Sequence, residues 1–275
     1  MSHAKIDKQI TSSTNDMYRD WLDCLTSKGI RKHGVFFIAG EKAVAETMKR
    51  YPNRVRSLVI SATQTAETEI QKLIVQTREA TKSNDPRFTV IELSKELFNE
   101  LDVSGTHAPL LLVHAPEIVD ADLTKEPVGL EILCALGDPS NVGALLRSAA
   151  AFGASKVILL KESASPFHPK AVRGASATTL ITKLERGPSI NDLPALLETG
   201  KAKGPVVALD MFGTSLRTYT WPHCARLLVG EEGVGIPTSN AFTTISIPMQ
   251  SGVESLNATV AISIALHSFY TQMQT

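Results

Sequence analysis

LEILCALGDPSNVGALLRSAAAFGASKVILL, residues 130–160, decides the fold class. LEILCALG reads as a buried strand ending at Gly137, and SKVILL as a second strand. Between them NVGALLRSAAAFG spaces its apolar residues as a helix does, with Asn141 as candidate N-cap and Gly153 as its stop. Strand, helix and strand in succession make the unit of a parallel α/β sheet. Both strands are apolar at nearly every position, as strands covered on two faces are. The helix holds one charged side chain, Arg147. By residue type alone it is half of an ion pair or a snorkelling surface residue.

The alternation continues on both sides. Toward the N-terminus VFFIAG, VRSLVIS, RFTVIEL and PLLLVHA read as strands, with EKAVAETMKRY, TAETEIQKLIVQTREATK and SKELFNELD as helices. Met17, Trp21, Leu22 and Leu25 repeat at helical spacing, and SKGIRKHG reads as a basic loop closed by Gly34. Residues 1–115 are therefore predicted to be a small α/β domain with a mainly parallel sheet. The acidic, proline-containing PEIVDADLTKEPVG, 116–129, reads as a linker, and 130–275 as a second α/β domain. In that domain PVVALDM, ARLLVG and ISIPM are further strands. HPKAVRGASATTL is a helical or irregular crossing, PSINDLPALLETGKAKG holds a helix, and VESLNATVAISIALHSFYTQM is a long closing helix.

With 275 residues, 43% of them hydrophobic, the chain can bury a sizeable core. It has no apolar run of about 18 residues and no apolar signal core at its N-terminus. Cys24, Cys134 and Cys224 lie far apart without a CxxC pair, which argues against a zinc site or a disulfide framework. The expectation is a cytoplasmic protein without membrane or metal. Lys plus Arg number 28, as do Asp plus Glu, so bulk charge does not make this a nucleic-acid binder. Residues 1–60 nonetheless carry eleven basic side chains against six acidic ones. Arg31, Lys32 and His33 stand together in the predicted loop, where they can meet phosphates.

In open α/β sheets the ligand crevice lies at the carboxyl ends of the strands. Three exits in the second half are rich in Gly, Ser or Asn: GDPSN, GEEGVGIP and PMQSGVESLN. GEEGVGIP lacks the Lys-Ser/Thr of the P-loop and the spacing of the dinucleotide fingerprint. Its Gly230, Gly233 and Gly235 allow positive φ and close backbone approach, so backbone groups can read an uncharged base. Ser255 and Asn257 either cap the closing helix or face a pocket, and periodicity does not separate the two.

Taken together, DPSNVGALLRSAAAFGASKVIL (138–159), LLVGEEGVGIP (227–237) and ISIPMQSGVESLNATVAISIALH (245–267) resemble the three signature motifs of the SpoU (TrmH-like) RNA 2′-O-methyltransferases of the SPOUT superfamily. Their order and spacing match the family's. ITSSTNDMYRDWLDCLTSKGIRKHGVFFIAGEKAVAE resembles, more loosely, the start of the family's RNA-binding extension. That extension often reads Glu-Gly before its first helix, where this chain has Ala39 followed by Gly40.

The resemblance implies a C-terminal α/β knot, a deep trefoil over a mainly parallel sheet, preceded by a small α/β RNA-binding domain. It implies S-adenosylmethionine as cofactor, a homodimer, and methyl transfer to a ribose 2′-OH of structured RNA, with rRNA ahead of tRNA. Arg147, Glu232, Ser255 and Asn257 fall on the catalytic positions. Gly230, Ile247, Met249 and Leu256 fall on cofactor positions, and Asn141 on an RNA-contacting one. Arg147 would then be buried against substrate across the dimer interface. An arginine normally stays protonated, so its expected role is electrostatic positioning of the ribose and its phosphate, ahead of proton abstraction. The alternatives are a non-catalytic RNA-binding protein that keeps the fold, and a small-molecule enzyme with an unrelated nucleotide site.

Overall fold

The computed structural model describes residues 4–81, 88–230, 235–253 and 255–274. The chain divides into two compact units, Met1–Pro116 with Phe167–Ala177, and Glu117–Pro166 with Thr178–Thr275.

The first unit runs β1 (Lys8–Ile10), α1 (Asp16–Asp23), α2 (Ser27–His33), β2 (Val35–Ile38), α3 (Glu41–Arg50), β3 (Val55–Ser61), α4 (Thr68–Thr81), β4 (Thr89–Leu93), α5 (Lys95–Leu101) and β5 (Leu110–His114). Its sheet has the order β1-β4-β3-β5-β2. β4 lies parallel to β1 and β3, but β5 runs antiparallel to both β3 and β2. The sheet is thus mixed rather than mainly parallel, because β5 enters between two strands of opposite direction. SKGIRKHG is a correction of a second kind. It forms helix α2, not a loop: Thr26 Oγ1 caps it by accepting from Gly29 N, and Gly34 ends it in the left-handed region at φ 66°. Gly29 is buried there and has to be glycine, because a Cβ would strike the Asp23 carbonyl.

The second unit runs β6 (Val119–Asp120), β7 (Leu130–Cys134), α6 (Pro139–Ala151), β8 (Lys156–Leu159), β9 (Leu184–Arg186), α8 (Leu193–Glu198), β10 (Val206–Ser215), β11 (Ala225–Val229), β12 (Thr243–Ser246) and α9 (Ala258–Gln272). The helix Pro169–Ala175, α7 in chain order, belongs to the first unit. The second sheet has the order β12-β10-β11-β7-β8-β9-β6, and all its pairings are parallel. Leu133, Ile158, Leu160, Val206 and Leu228 form its core with Phe242 and Leu123. Leu123 and β6 lie in the stretch read as a linker, so that stretch is built into the sheet and core.

α6 is capped three residues earlier than expected, at Asp138 instead of Asn141. Pro139 takes the first helical position, where its missing N–H costs nothing, and Asp138 caps the helix by accepting from Ser140 N at 2.6 Å. Asn141 therefore sits inside the first turn rather than at the cap. Gly153, at φ 70°, follows the C-cap Phe152 as expected.

Candidate active site

β10, β11 and β12 run parallel side by side, so their carboxyl ends open on one edge of the sheet. The N-terminus of α9 comes to the same edge. Between them lies a cavity of about 730 Å³, within the usual range for a small-molecule site.

Each wall has a local cause. β11 leaves the sheet at Gly230, where a Cβ would lie 2.5 Å from the Gly235 carbonyl oxygen and 2.7 Å from Ile236 Cγ2. Only glycine lets the two arms of this loop approach so closely, and Gly235 completes it at φ 73°. β10 bulges: its pairing with Ile245 of β12 passes from Leu209 to Thr214. Gly213 presses on the β12 backbone, with no room for a Cβ beside Ile245 N. Phe212 N donates to Asp210 Oδ1 at 2.8 Å, closing the bulge. The bulge brings Asp210 and Met211 to the cavity wall.

α9 supplies the third wall. Asn257 Oδ1 accepts from Thr259 N at 3.0 Å and from Val260 N at 3.4 Å, so it caps the helix. Asn257 also lines the cavity, so the capping and pocket readings both hold for it. Ala258 and Ala261 keep the helix side shallow.

The cavity brings together six of the residues singled out in the sequence: Gly230, Ile247, Met249, Ser255, Leu256 and Asn257. Glu232 lies outside the described residues. Arg147 is not part of the cavity, and the expectation that it is buried fails for the single chain: it is exposed. The helix period explains why. α6 buries Val142, Leu145, Leu146 and Ala149, which leaves Asn141, Ala144, Arg147 and Ala151 along the other side. Arg31 and Lys32 are exposed on α2 of the first unit, and Lys32 Nζ pairs with Asp23 Oδ2 at 3.1 Å. Asp210 was missed, although PVVALDM is a fourth strand exit on the same side and the position of that exit could have flagged it.

α6 and α9 pack together. Ser148 Oγ and Ser263 Oγ lie 2.8 Å apart, and the Phe152 ring meets those of His267 and Tyr270 at 5.6 and 6.0 Å. Their outer side carries exposed Val260 and Ile264 and a shallow depression of about 370 Å³ that includes Ala144.

Residues 131–267 match the SpoU rRNA Methylase family. The chain is 37% identical over 263 residues to ribosomal RNA small subunit methyltransferase G 2 of Syntrophobacter fumaroxidans, covering 95% of this chain but only 49% of that protein. It spans about half the length of that relative. It is 27% identical to the 23S rRNA (guanosine(2553)-2'-O)-methyltransferase RlmP of Bacillus subtilis, over 94% of this chain and 98% of that one. In fold it is similar to the SpoU methyltransferase AviRb of Streptomyces viridochromogenes, solved in complex with the cofactor AdoMet, with a TM-score of 0.74, 24% identity, and coverage of 95% of this chain and 99% of that one. Through residues 131–267 the chain belongs to the SpoU rRNA methylase family.

Proposed function

We propose that this chain is an S-adenosylmethionine-dependent methyltransferase that methylates a ribose 2′-OH of ribosomal RNA. The observation that carries the reading is the cavity at the exits of β10, β11 and β12, where six candidate catalytic and cofactor residues meet. The donor set fits the cofactor. The walls are mostly apolar, as an adenine requires, and the close turn from Gly230 to Gly235 brings backbone to the cavity edge.

Bound S-adenosylmethionine supplies a methyl group on a positively charged sulfur, already activated for transfer. The chain mainly has to align the acceptor. Gly230, Ile247 and Leu256 hold the cofactor by backbone groups, and Met249 lines its pocket. Ser255, Asn257 and Glu232 take the catalytic positions implied by the resemblance, where Glu232 and Asn257 orient Arg147 or the ribose. Arg147 stabilises negative charge on the 2′-oxygen and anchors the neighbouring phosphate, and Asn141, in the first turn of α6, contacts the RNA.

Arg147 reaches a cavity only in a homodimer. The exposed Val260 and Ile264 support a second copy covering the α6–α9 side, which would set Arg147 of one protomer at its partner's cavity. The first unit, with Arg31 and Lys32 exposed, receives the RNA. The knotted threading implied by the resemblance and a cytoplasmic setting belong to the same reading; the free state of Cys24, Cys134 and Cys224 supports the second.

The test is transfer of labelled methyl to rRNA from cells lacking this gene. Wild type is expected to leave label in an alkali-resistant dinucleotide. Arg147→Ala keeps its fold, since the side chain is exposed on its own chain, and loses at least about a hundredfold in rate. Cofactor binding without label on any RNA would turn the reading to the non-catalytic one. Ile264→Glu is expected to yield monomers in sedimentation.

A further inference from the structure

Asp210 is the single charged side chain among the described residues lining the cavity. Leu209, Met211, Ile236, Ile245 and Ile247 surround that cavity with apolar surface. Asp210 is partly buried and forms no ion pair among the described residues. Its Oδ1 accepts from Phe212 N, and that bond closes the bulge. A neutral asparagine would accept the same bond, so the local fold accounts for the oxygen but not for the charge. A partly desolvated carboxylate beside an apolar wall costs free energy unless a cation meets it. The cofactor proposed for this cavity carries one on its sulfur.

We propose that Asp210 recognises the positive sulfur of the methyl donor and so distinguishes it from the demethylated product. The inference rests on the cofactor reading above. S-adenosylmethionine and S-adenosylhomocysteine share their adenosine and amino-acid parts. They differ in the methyl group and in the charge on sulfur. A carboxylate near that sulfur attracts the donor and loses its hold once the methyl has gone, so donor binds ahead of spent product. A carboxylate that held the ribose hydroxyls or the ammonium group would treat the two ligands alike.

The experiment is calorimetric titration of the full chain with each ligand, comparing wild type with Asp210→Asn. Asparagine keeps the size of the side chain and the acceptor for Phe212 N. Affinity for S-adenosylmethionine is expected to fall about tenfold, while that for S-adenosylhomocysteine stays within about twofold. Asp210→Glu, which keeps the charge, retains the preference for the donor. An equal loss for both ligands, or a loss for neither, overturns the proposal. Wild type that binds neither ligand would instead sink the cofactor reading itself.

Discussion

Replacing Arg226 by methionine tests how the second unit is held together. Arg226 and Glu131 are 1% and 2% exposed and face each other across β11 and β7. Arg226 Nε donates to Glu131 Oε2 at 2.9 Å, Nη2 donates to the Lys125 carbonyl at 2.8 Å, and Nη1 donates to the Lys203 carbonyl. The other Glu131 oxygen takes Val128 N at 3.2 Å and Lys156 Nζ at 3.3 Å. The guanidinium thus ties two connecting segments to the entry end of the sheet. Removing one partner of a buried ion pair costs about 3–5 kcal/mol. Lys156 stays beside Glu131, which places Arg226→Met near the lower end, about 3 kcal/mol, or a melting temperature lower by roughly 6–12 °C for a chain of this size. Glu131→Leu with Arg226→Met removes both charges and fills the space, and should recover to within about 1 kcal/mol of wild type. Lys156 then keeps Glu185 at 2.8 Å. Urea and thermal unfolding followed by circular dichroism read the difference. A single variant costing under about 1 kcal/mol, or a double variant no better than the single, would refute the reasoning. Cofactor affinity should not change, since Arg226 precedes Gly230 along β11 by about 13 Å at about 3.3 Å per residue.

Burial pushes the Glu185 carboxyl up, but hydrogen bonds from Lys156 and Lys183 more than reverse this and hold it below its ordinary 4.5. A carboxylate lowered in the folded state adds stability above its unfolded pKa, and that stability is lost as pH falls through the folded value. The melting temperature should therefore drop as pH falls below 4.5, and Glu185→Gln should flatten that drop; an unchanged slope counts against the assignment. Gly230→Ala puts a methyl against the Gly235 carbonyl, so the loop must shift and S-adenosylmethionine binding should weaken at least about tenfold by calorimetry. Wild-type affinity would mean that the loop yields without cost. Burial, then Asp20 and Asp23, push the Cys24 thiol up to about 11, and burial raises Cys134 as well. A thiol reagent should modify exposed Cys224 in the native protein and the other two on unfolding. Fast native modification of Cys24 would contradict its burial.

Much of the molecule was legible in residue pattern. The buried parallel strands of the second unit announce themselves, because strands covered on both faces need apolar residues throughout. Gly153 stops α6, as its lack of a Cβ allows. Two of the three glycine-, serine- and asparagine-rich exits, GEEGVGIP and PMQSGVESLN, mark the cavity, because parallel strands open on one edge; no residue of GDPSN lines it. What the pattern left undecided depends on neighbours distant in the chain. The direction of β5 is set by the strands it enters between, which makes the first sheet mixed. α2 forms from a basic, glycine-containing run because Thr26 caps it and because Gly29, lacking a Cβ, can pass close to Asp23. The bulge that turns Asp210 to the cavity exists because β10 has more residues than β12 can pair. Arg147 shows the division most clearly. Helical periodicity places it opposite the buried side of α6, and that is legible in the residues alone. What covers it is settled by surfaces that meet only after folding, because a side chain's environment comes from tertiary and quaternary contacts rather than from its own helix.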